Sequence, residues 1–245
     1  MTRTNVVIGA GSGMGEAVAR RLVGKGPLVV ADLNVDVVAA LARELDGRAA
    51  PVTAVAVDVA VASSVVALAE QAATFGAVIH TAGLSPTMAE SRRILEVNLI
   101  GTANVLDAFT PQASEGSVAV CFASVAGHTP VSAVVADAVR RLAIGDIEEL
   151  LESEAQGLPR ATAAYRFSKY GVLDLVRRRA PAWGERGARV LSLSPGIIET
   201  PMGRLEAERQ PIMAQMVAVT PLRRTGVPTR SPRSSSSCAL TVRRT

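Results

Sequence analysis

The sequence predicts a single α/β domain built on an open, doubly wound parallel sheet, and three observations carry that reading. Short apolar runs alternate along the chain with segments whose apolar residues recur at helical spacing. The first apolar run leads straight into a glycine-rich turn and a helix. The 245 residues, 49% of them hydrophobic, can bury one full core and do not require a second domain.

Composition narrows the partners. No apolar run reaches membrane-spanning length, and Thr2 to Asn5 leads into a strand rather than a signal segment, so a cytoplasmic protein with no membrane partner is expected. Cys121 and Cys238 make neither a disulfide framework nor a metal spacing, so free thiols and no metal are expected. The formal charge of +4 is concentrated in residues 229–245, where Arg230, Arg233, Arg243 and Arg244 stand without an acid. Without them, 22 bases meet 22 acids. A neutral body with 3% aromatic residues offers nucleic acid neither field nor stacking surface.

Val6 to Ile8 reads as the first strand, followed by Gly9-Ala-Gly-Ser-Gly-Met-Gly15 and a helix over Glu16 to Val23. Such a turn lets backbone amides approach a pyrophosphate at the positive end of the helix. Gly9, Gly11, Ser12, Gly13, Met14 and Gly15 are therefore candidate cofactor contacts, although the spacing is G-x-x-x-G-x-G and not the general fingerprint. The second strand, Leu28 to Ala31, ends in Asp32. A carboxylate there accepts hydrogen bonds from ribose hydroxyls and repels a 2′-phosphate, which favours NAD over NADP. The competing reading of Asp32 is a cap for the helix over Val35 to Leu45.

Val52 to Val57 reads as the third strand, with Asp58 and Val59 at its carboxyl end, then a helix over Ser63 to Phe75 and a fourth strand over Ala77 to His80. Ala82 and Gly83 follow, small enough to let backbone pass close to an adenosine. His80 lacks a cluster of metal ligands around it and reads as a strand-end residue. A helical pattern from Met88 to Phe109 contains Asn98, a poor helix former that needs a hydrogen-bonding reason to sit among apolar neighbours. The strand over Ser117 to Ala123 delivers Ser124 to the sheet's carboxyl edge. His128 follows closely, but the G-x-S-x-G elbow of a hydrolase is absent. Val131 to Ala143 and Asp146 to Ala155 read as two helices joined near Gly145, which either cover a substrate or pack against a second subunit.

The stretch around Tyr165 and Lys169 reads as a helix running to about Arg179, and the four-residue spacing puts both side chains on one face. A phenol with a pKa near 10 is a poor base at neutral pH, and an adjacent ammonium lowers that value. Lys25 and Lys169 are the only lysines in the chain. A last strand, Arg189 to Leu193, leads into Ser194-Pro-Gly-Ile-Ile-Glu-Thr-Pro-Met202. The methionine-containing segment beyond it reads either as a lid over an apolar substrate or as core.

Taken in order, Gly9 to Gly15, Asp32, Asn98, Ser124 and the Tyr165/Lys169 pair resemble the short-chain dehydrogenase/reductase family over about residues 4 to 227. The resemblance implies a Rossmann-type sheet binding a nicotinamide dinucleotide, and hydride transfer between nicotinamide and an alcohol or ketone. It also implies a homodimer or homotetramer. It assigns Tyr165 as acid/base, Lys169 as its tuner and a ribose contact, Ser124 as holder of the substrate oxygen and Asn98 as holder of a relay water. Asp58 and Val59 would lie near the adenine, while Pro195, Gly196, Ile198 and Thr200 would border the nicotinamide.

The sequence departs from the family in three places. Ile8 and the His80-Thr81 pair stand where other residues are usual. The 41 positions from Ser124 to Tyr165 exceed the common interval and resemble the bacterial 3α-hydroxysteroid dehydrogenase/carbonyl reductase subgroup, pointing to a steroid-like or other bulky apolar alcohol. Residues 1–228 are expected to form the NAD-binding domain, with a helical insertion over about 130–160. Residues 229–245 read as a Ser/Arg-rich, disordered or frame-altered tail, so the alternative is a dinucleotide-binding regulatory or structural protein with impaired turnover.

Overall fold

A computed structural model of the chain describes residues 2–46, 50–72 and 74–228. Its sheet has six parallel strands: β1 (Thr4–Ile8), β2 (Leu28–Asp32), β3 (Val52–Ala56), β4 (Phe75–His80), β5 (Val118–Phe122) and β6 (Arg189–Leu193). They run in the order β3-β2-β1-β4-β5-β6, so the direction of winding reverses between β1 and β4 and opens a crevice at their carboxyl ends. This is the doubly wound, Rossmann-type architecture the sequence predicts.

The helices are α1 (Gly13–Leu22), α2 (Val35–Leu45), α3 (Ala62–Gln71), α4 (Ser91–Leu95), α5 (Gly101–Phe109), α6 (Ala133–Arg140), α7 (Ile144–Ser153), α8 (Arg160–Gly184), α9 (Pro201–Arg209) and α10 (Ile212–Val219). Because strand side chains alternate between faces, the sheet has two cores. Val7, Val30, Ile79 and Val120 face α1 and α2 through Ala19, Val38, Leu41 and Leu45. Val6, Ile8, Val29, Val78 and Cys121 face the other way, toward Leu68, Leu106, Phe167 and Leu175 of α3, α5 and α8.

Four sequence expectations are corrected. Phe75 opens β4 instead of closing the preceding helix, because its ring is buried edge-on against Phe109 and Trp183 at centroid distances of 5.4 and 5.9 Å. Helix α8 runs past Arg179 to Gly184 with Pro181 inside it. Trp183, fully buried with its Nε1–H donated to Thr110 Oγ1 at 2.8 Å, holds that last turn in place. The turn between α6 and α7 is made by Leu142 at φ 58°, and Gly145 lies inside α7. Finally, the pattern from Met88 to Phe109 becomes helix at Ser91, and α4 passes into α5 through a π-helical turn, Glu96–Ile100. The reading of residues 229–245 as an atypical tail falls outside the described residues.

The apolar stripes of α6 and α7 are neither a lid nor a free surface. Val135, Val139, Ile147 and Leu151 are buried in the same core as Phe167 and Val172 of α8. The insertion thus buttresses the helix that carries Tyr165 and Lys169.

Candidate active site

The crevice between β1 and β4 is a cavity of about 480 Å³, in the range of roughly 300–1,000 Å³ usual for ligand sites. Its floor is the turn after β1: Gly9, Ser12, Gly13, Met14 and Gly15 line it, with Ser12 as the cap residue of α1. Gly9 and Gly13 adopt φ values of 84° and 56°, which side chains rarely tolerate. A Cβ on Gly9 would also come within 2.5 Å of the Ala82 amide nitrogen. The backbone is therefore bare where a pyrophosphate would meet the start of a helix, and the residues present fit a dinucleotide.

Of the two readings given to Asp32, the α2 cap does not hold. Asp32 Oδ2 accepts the Gly11 amide at 3.0 Å and its Oδ1 the Asn34 amide at 3.1 Å. The α2 cap is Asn34, whose side chain accepts from Val37 N. Asp32 instead braces the glycine turn and presents its carboxylate to the cavity. Asp58 and Val59 form the far wall with Arg93, whose Nη2 lies 3.0 Å from Asp58 Oδ2. Asn104 donates to the Val59 carbonyl at 2.8 Å and fixes that wall.

Ala82 and Gly83 line the opposite side, and Gly83 joins the cavity to the residues behind it. A Cβ there would sit 3.1 Å from Asn98 Oδ1 and 3.4 Å from Lys169 Nζ. Asn98 lies on the π turn, 1% exposed. Its Oδ1 accepts from Leu84 N at 2.8 Å, and its Nδ2 donates to Leu84 O and Ser168 Oγ at 3.0 and 3.1 Å. That is the hydrogen-bonding reason its sequence position demands. Its main-chain carbonyl accepts from Thr102 Oγ1 at 2.7 Å.

Ser124 begins the turn after β5. Its Oγ accepts from Ala126 N at 3.2 Å, and its hydroxyl is near enough to Tyr165 to act on the phenol's pKa. His128 instead pairs with Ser194 Oγ at 2.9 Å, so the Ser/His nucleophile arrangement does not form. Tyr165 and Lys169 share a face of α8 as the spacing predicts, with Nζ 5.8 Å from the phenol ring centroid. The electrostatics differ from the sequence expectation. Burial raises the Tyr165 pKa; the Ser124 hydroxyl opposes that rise, and the Glu206 charge adds to it. Lys169 Nζ donates to the Phe122 carbonyl at 2.9 Å, and burial lowers its own pKa to about 8.

The remaining expected contacts divide. Thr200 lines the cavity and caps α9, its Oγ1 accepting from Gly203 N at 3.0 Å. Pro195, Gly196 and Ile198 lie outside the cavity wall. Pro195 O accepts from Val125 N at 3.1 Å, and Ile198 bridges Gly226. Sequence reasoning missed Leu33, Met88, Arg93, Met202 and Leu205, all of which line the cavity, whereas Thr81 stands in the stretch of small residues expected beside the adenosine. Only Met202 carried a signal, through the methionine-containing segment. No residue of α9 or α10 is buried, so that segment is not core. Among the described residues no cluster of ligands suits a metal ion, and no helix is long and apolar enough to cross a membrane.

Comparison with known proteins agrees with this geometry. A family model described as short chain dehydrogenase matches residues 3–139, and one described as enoyl-(acyl carrier protein) reductase matches residues 151–232. The short-chain dehydrogenase/reductase bsc3 of Alternaria brassicicola is 33% identical over 235 residues, covering 91% of this chain and 84% of that protein. The 3-alpha-hydroxysteroid dehydrogenase/carbonyl reductase of Comamonas testosteroni is 34% identical over 129 residues, 49% of this chain and 48% of that protein. A crystal structure of a 3-oxoacyl-[acyl-carrier protein] reductase from Brucella melitensis with bound NAD superposes with TM-score 0.69 at 27% identity, covering 92% of this chain and 79% of that one. A glycine turn braced by Asp32 and a tyrosine with a buried lysine one turn further on thus meet in a sequence that belongs to the short-chain dehydrogenase/reductase family of oxidoreductases.

Proposed function

We propose that this chain is an NAD-dependent oxidoreductase acting on a secondary alcohol or the corresponding ketone, with residues 1–228 as its cofactor-binding unit. The observation that carries the reading is the convergence of Asn98 Oδ1 and buried Lys169 Nζ on Gly83 of the cavity wall, with Tyr165 on the same face of α8 as Lys169. When bound, the cofactor supplies the hydride acceptor or donor and, in its oxidised form, a positive charge. Ser124 orients the substrate oxygen. In oxidation the hydroxyl proton of the alcohol passes to the Tyr165 oxygen as the hydride leaves the adjoining carbon, and in reduction Tyr165 returns that proton to the carbonyl oxygen. An ordinary phenol is already protonated at neutral pH, and burial with the Glu206 charge raises the Tyr165 pKa further, so it is set up as the acid of the reductive direction. Its use as a base requires the added positive charge of oxidised nicotinamide.

NAD is favoured over NADP because Asp32 presents a carboxylate to the ribose side, while Arg93, the arginine on the cavity wall, is paired with Asp58. Asp32→Ala should raise the preference for NADP relative to NAD by roughly tenfold or more, the effect of removing one like-charge contact. Initial rates with both cofactors measure it. A bulky apolar substrate, a hydroxysteroid among the candidates, fits the Met202 and Leu205 wall and the exposed Ile212 and Met216 of α10. The partial match to the hydroxysteroid dehydrogenase supports the same class. A cytoplasmic homodimer or homotetramer completes the reading, and light scattering of the purified protein tests the subunit number.

The deciding experiment follows NADH absorbance with NAD and a panel of secondary alcohols that includes hydroxysteroids, using wild type and Tyr165→Phe. Turnover by wild type and its loss in the variant, with NAD affinity retained, is the expected result. Equal turnover by the variant would refute Tyr165 as the acid/base.

A further inference from the structure

The cavity has two lips. One is the loop after β4, with Leu84 and Met88, and the other is α9, with Met202 and Leu205. They are tied together by residues far apart in sequence. Glu206 Oε1 accepts from Thr87 Oγ1 at 2.7 Å and from Thr87 N at 3.2 Å, and Arg209 Nη1 donates to Thr87 O at 3.0 Å. The outer carboxylate oxygen, Oε2, accepts from Gln210 Nε2 at 2.9 Å. On the body side, Ser85 Oγ lies 3.1 Å from Thr87 Oγ1, and Ser85 is 2% exposed. Because Thr87 spends its proton on Glu206, Ser85 is the donor in that pair. A directed line of hydrogen bonds therefore runs from Ser85 in the body to Glu206 on α9.

We propose that Thr87, Glu206 and Arg209 form a clasp that holds α9 shut across the cavity, and that opening this clasp gates cofactor entry and release. The gating half rests on the dinucleotide reading given above; the clasp itself does not. The energetic argument is that no residue of α9 or α10 is buried, so little hydrophobic burial holds the lid down. A few charge-assisted hydrogen bonds then dominate its closure, and losing one shifts an open–closed equilibrium by about tenfold. The same closure brings the Glu206 carboxylate near enough to act on Tyr165, so the lid position is also felt at the proposed acid/base.

Trypsin reads the clasp directly, since Arg204 and Arg209 both lie on α9. Purified full-length protein without cofactor is digested as wild type, Glu206→Ala and Thr87→Val. The expected result is cleavage after Arg204 and Arg209 about tenfold faster in both variants, with melting temperatures and cleavage elsewhere unchanged. Stopped-flow fluorescence of bound NADH then tests the gate, with release expected to speed up by a similar factor. Unchanged cleavage in both variants overturns the clasp. Faster cleavage with unchanged NADH release overturns the gating. Failure of wild type to bind NADH overturns the dinucleotide reading and the gating with it, and the cofactor-free digestion still decides the clasp.

Discussion

His80 is 2% exposed, and its Nε2 lies 3.2 Å from Thr102 Oγ1. Thr102 gives its proton to the Asn98 carbonyl, so the imidazole must present Nε2–H and carry its lone pair on Nδ1. Burial, aided by the Lys169 charge, lowers the His80 pKa to about 3. The unfolded chain takes up a proton near pH 6.5 that the folded chain refuses until about pH 3, so stability is present above pH 6.5 and is lost as pH falls toward 3. Between pH 7 and pH 5 this group should cost about 2 kcal/mol. Urea unfolding at the two pH values should show that much less pH dependence in His80→Asn than in wild type. The residue's role was only half legible: its strand-end position is readable from sequence, but its link to Asn98 through Thr102 depends on β4 and α5 packing face to face.

At the scale of elements, the glycines separate close packing from open space. A Cβ on Gly15 would drive into the Gly9 carbonyl, because α1 leaves the turn in contact with it. Gly15→Ala should cost about 1–3 kcal/mol of stability and weaken NAD binding by at least about tenfold, measured by denaturation and calorimetry. A Cβ on Gly145, in the first turn of α7, would meet nothing beyond its own helix within 4 Å, so Gly145→Ala should raise stability by up to about 0.5–1 kcal/mol. Strands β1 to β6 and most helices were legible because alternation and helical spacing follow from which face is buried. What was not legible depends on contacts distant in sequence. Phe75 is claimed by Phe109 and Trp183, Leu142 takes a left-handed turn that Gly145 was expected to make, and Thr87 meets a glutamate 119 positions away. The pKa of Tyr165 belongs to the same class: spacing places Lys169 on its face, but burial and the Phe122 carbonyl decide what the ammonium does.

At the scale of the whole molecule, the net charge is carried by one end of the sequence. Residues 1–228 hold 22 bases and 22 acids, while residues 229–245 supply the whole excess. A chain ending at Pro228 should lose the basic character behind the sequence pI of about 9.7 and pass a heparin column at low salt on which the full chain is retained. The sheet also sets its two ends to different tasks. The glycine turn, Ser124 and the cavity lie at the carboxyl ends of the strands, whereas Trp183 packs edge-on against Phe75 at the amino end of β4, a strand length of roughly 17 Å away. Since Trp183 is the only tryptophan, the intrinsic emission of this protein is a signal from the end remote from the chemistry. A thermal shift read from that emission on adding a dinucleotide would report the linkage between binding and unfolding, with no direct ligand contact to colour the signal.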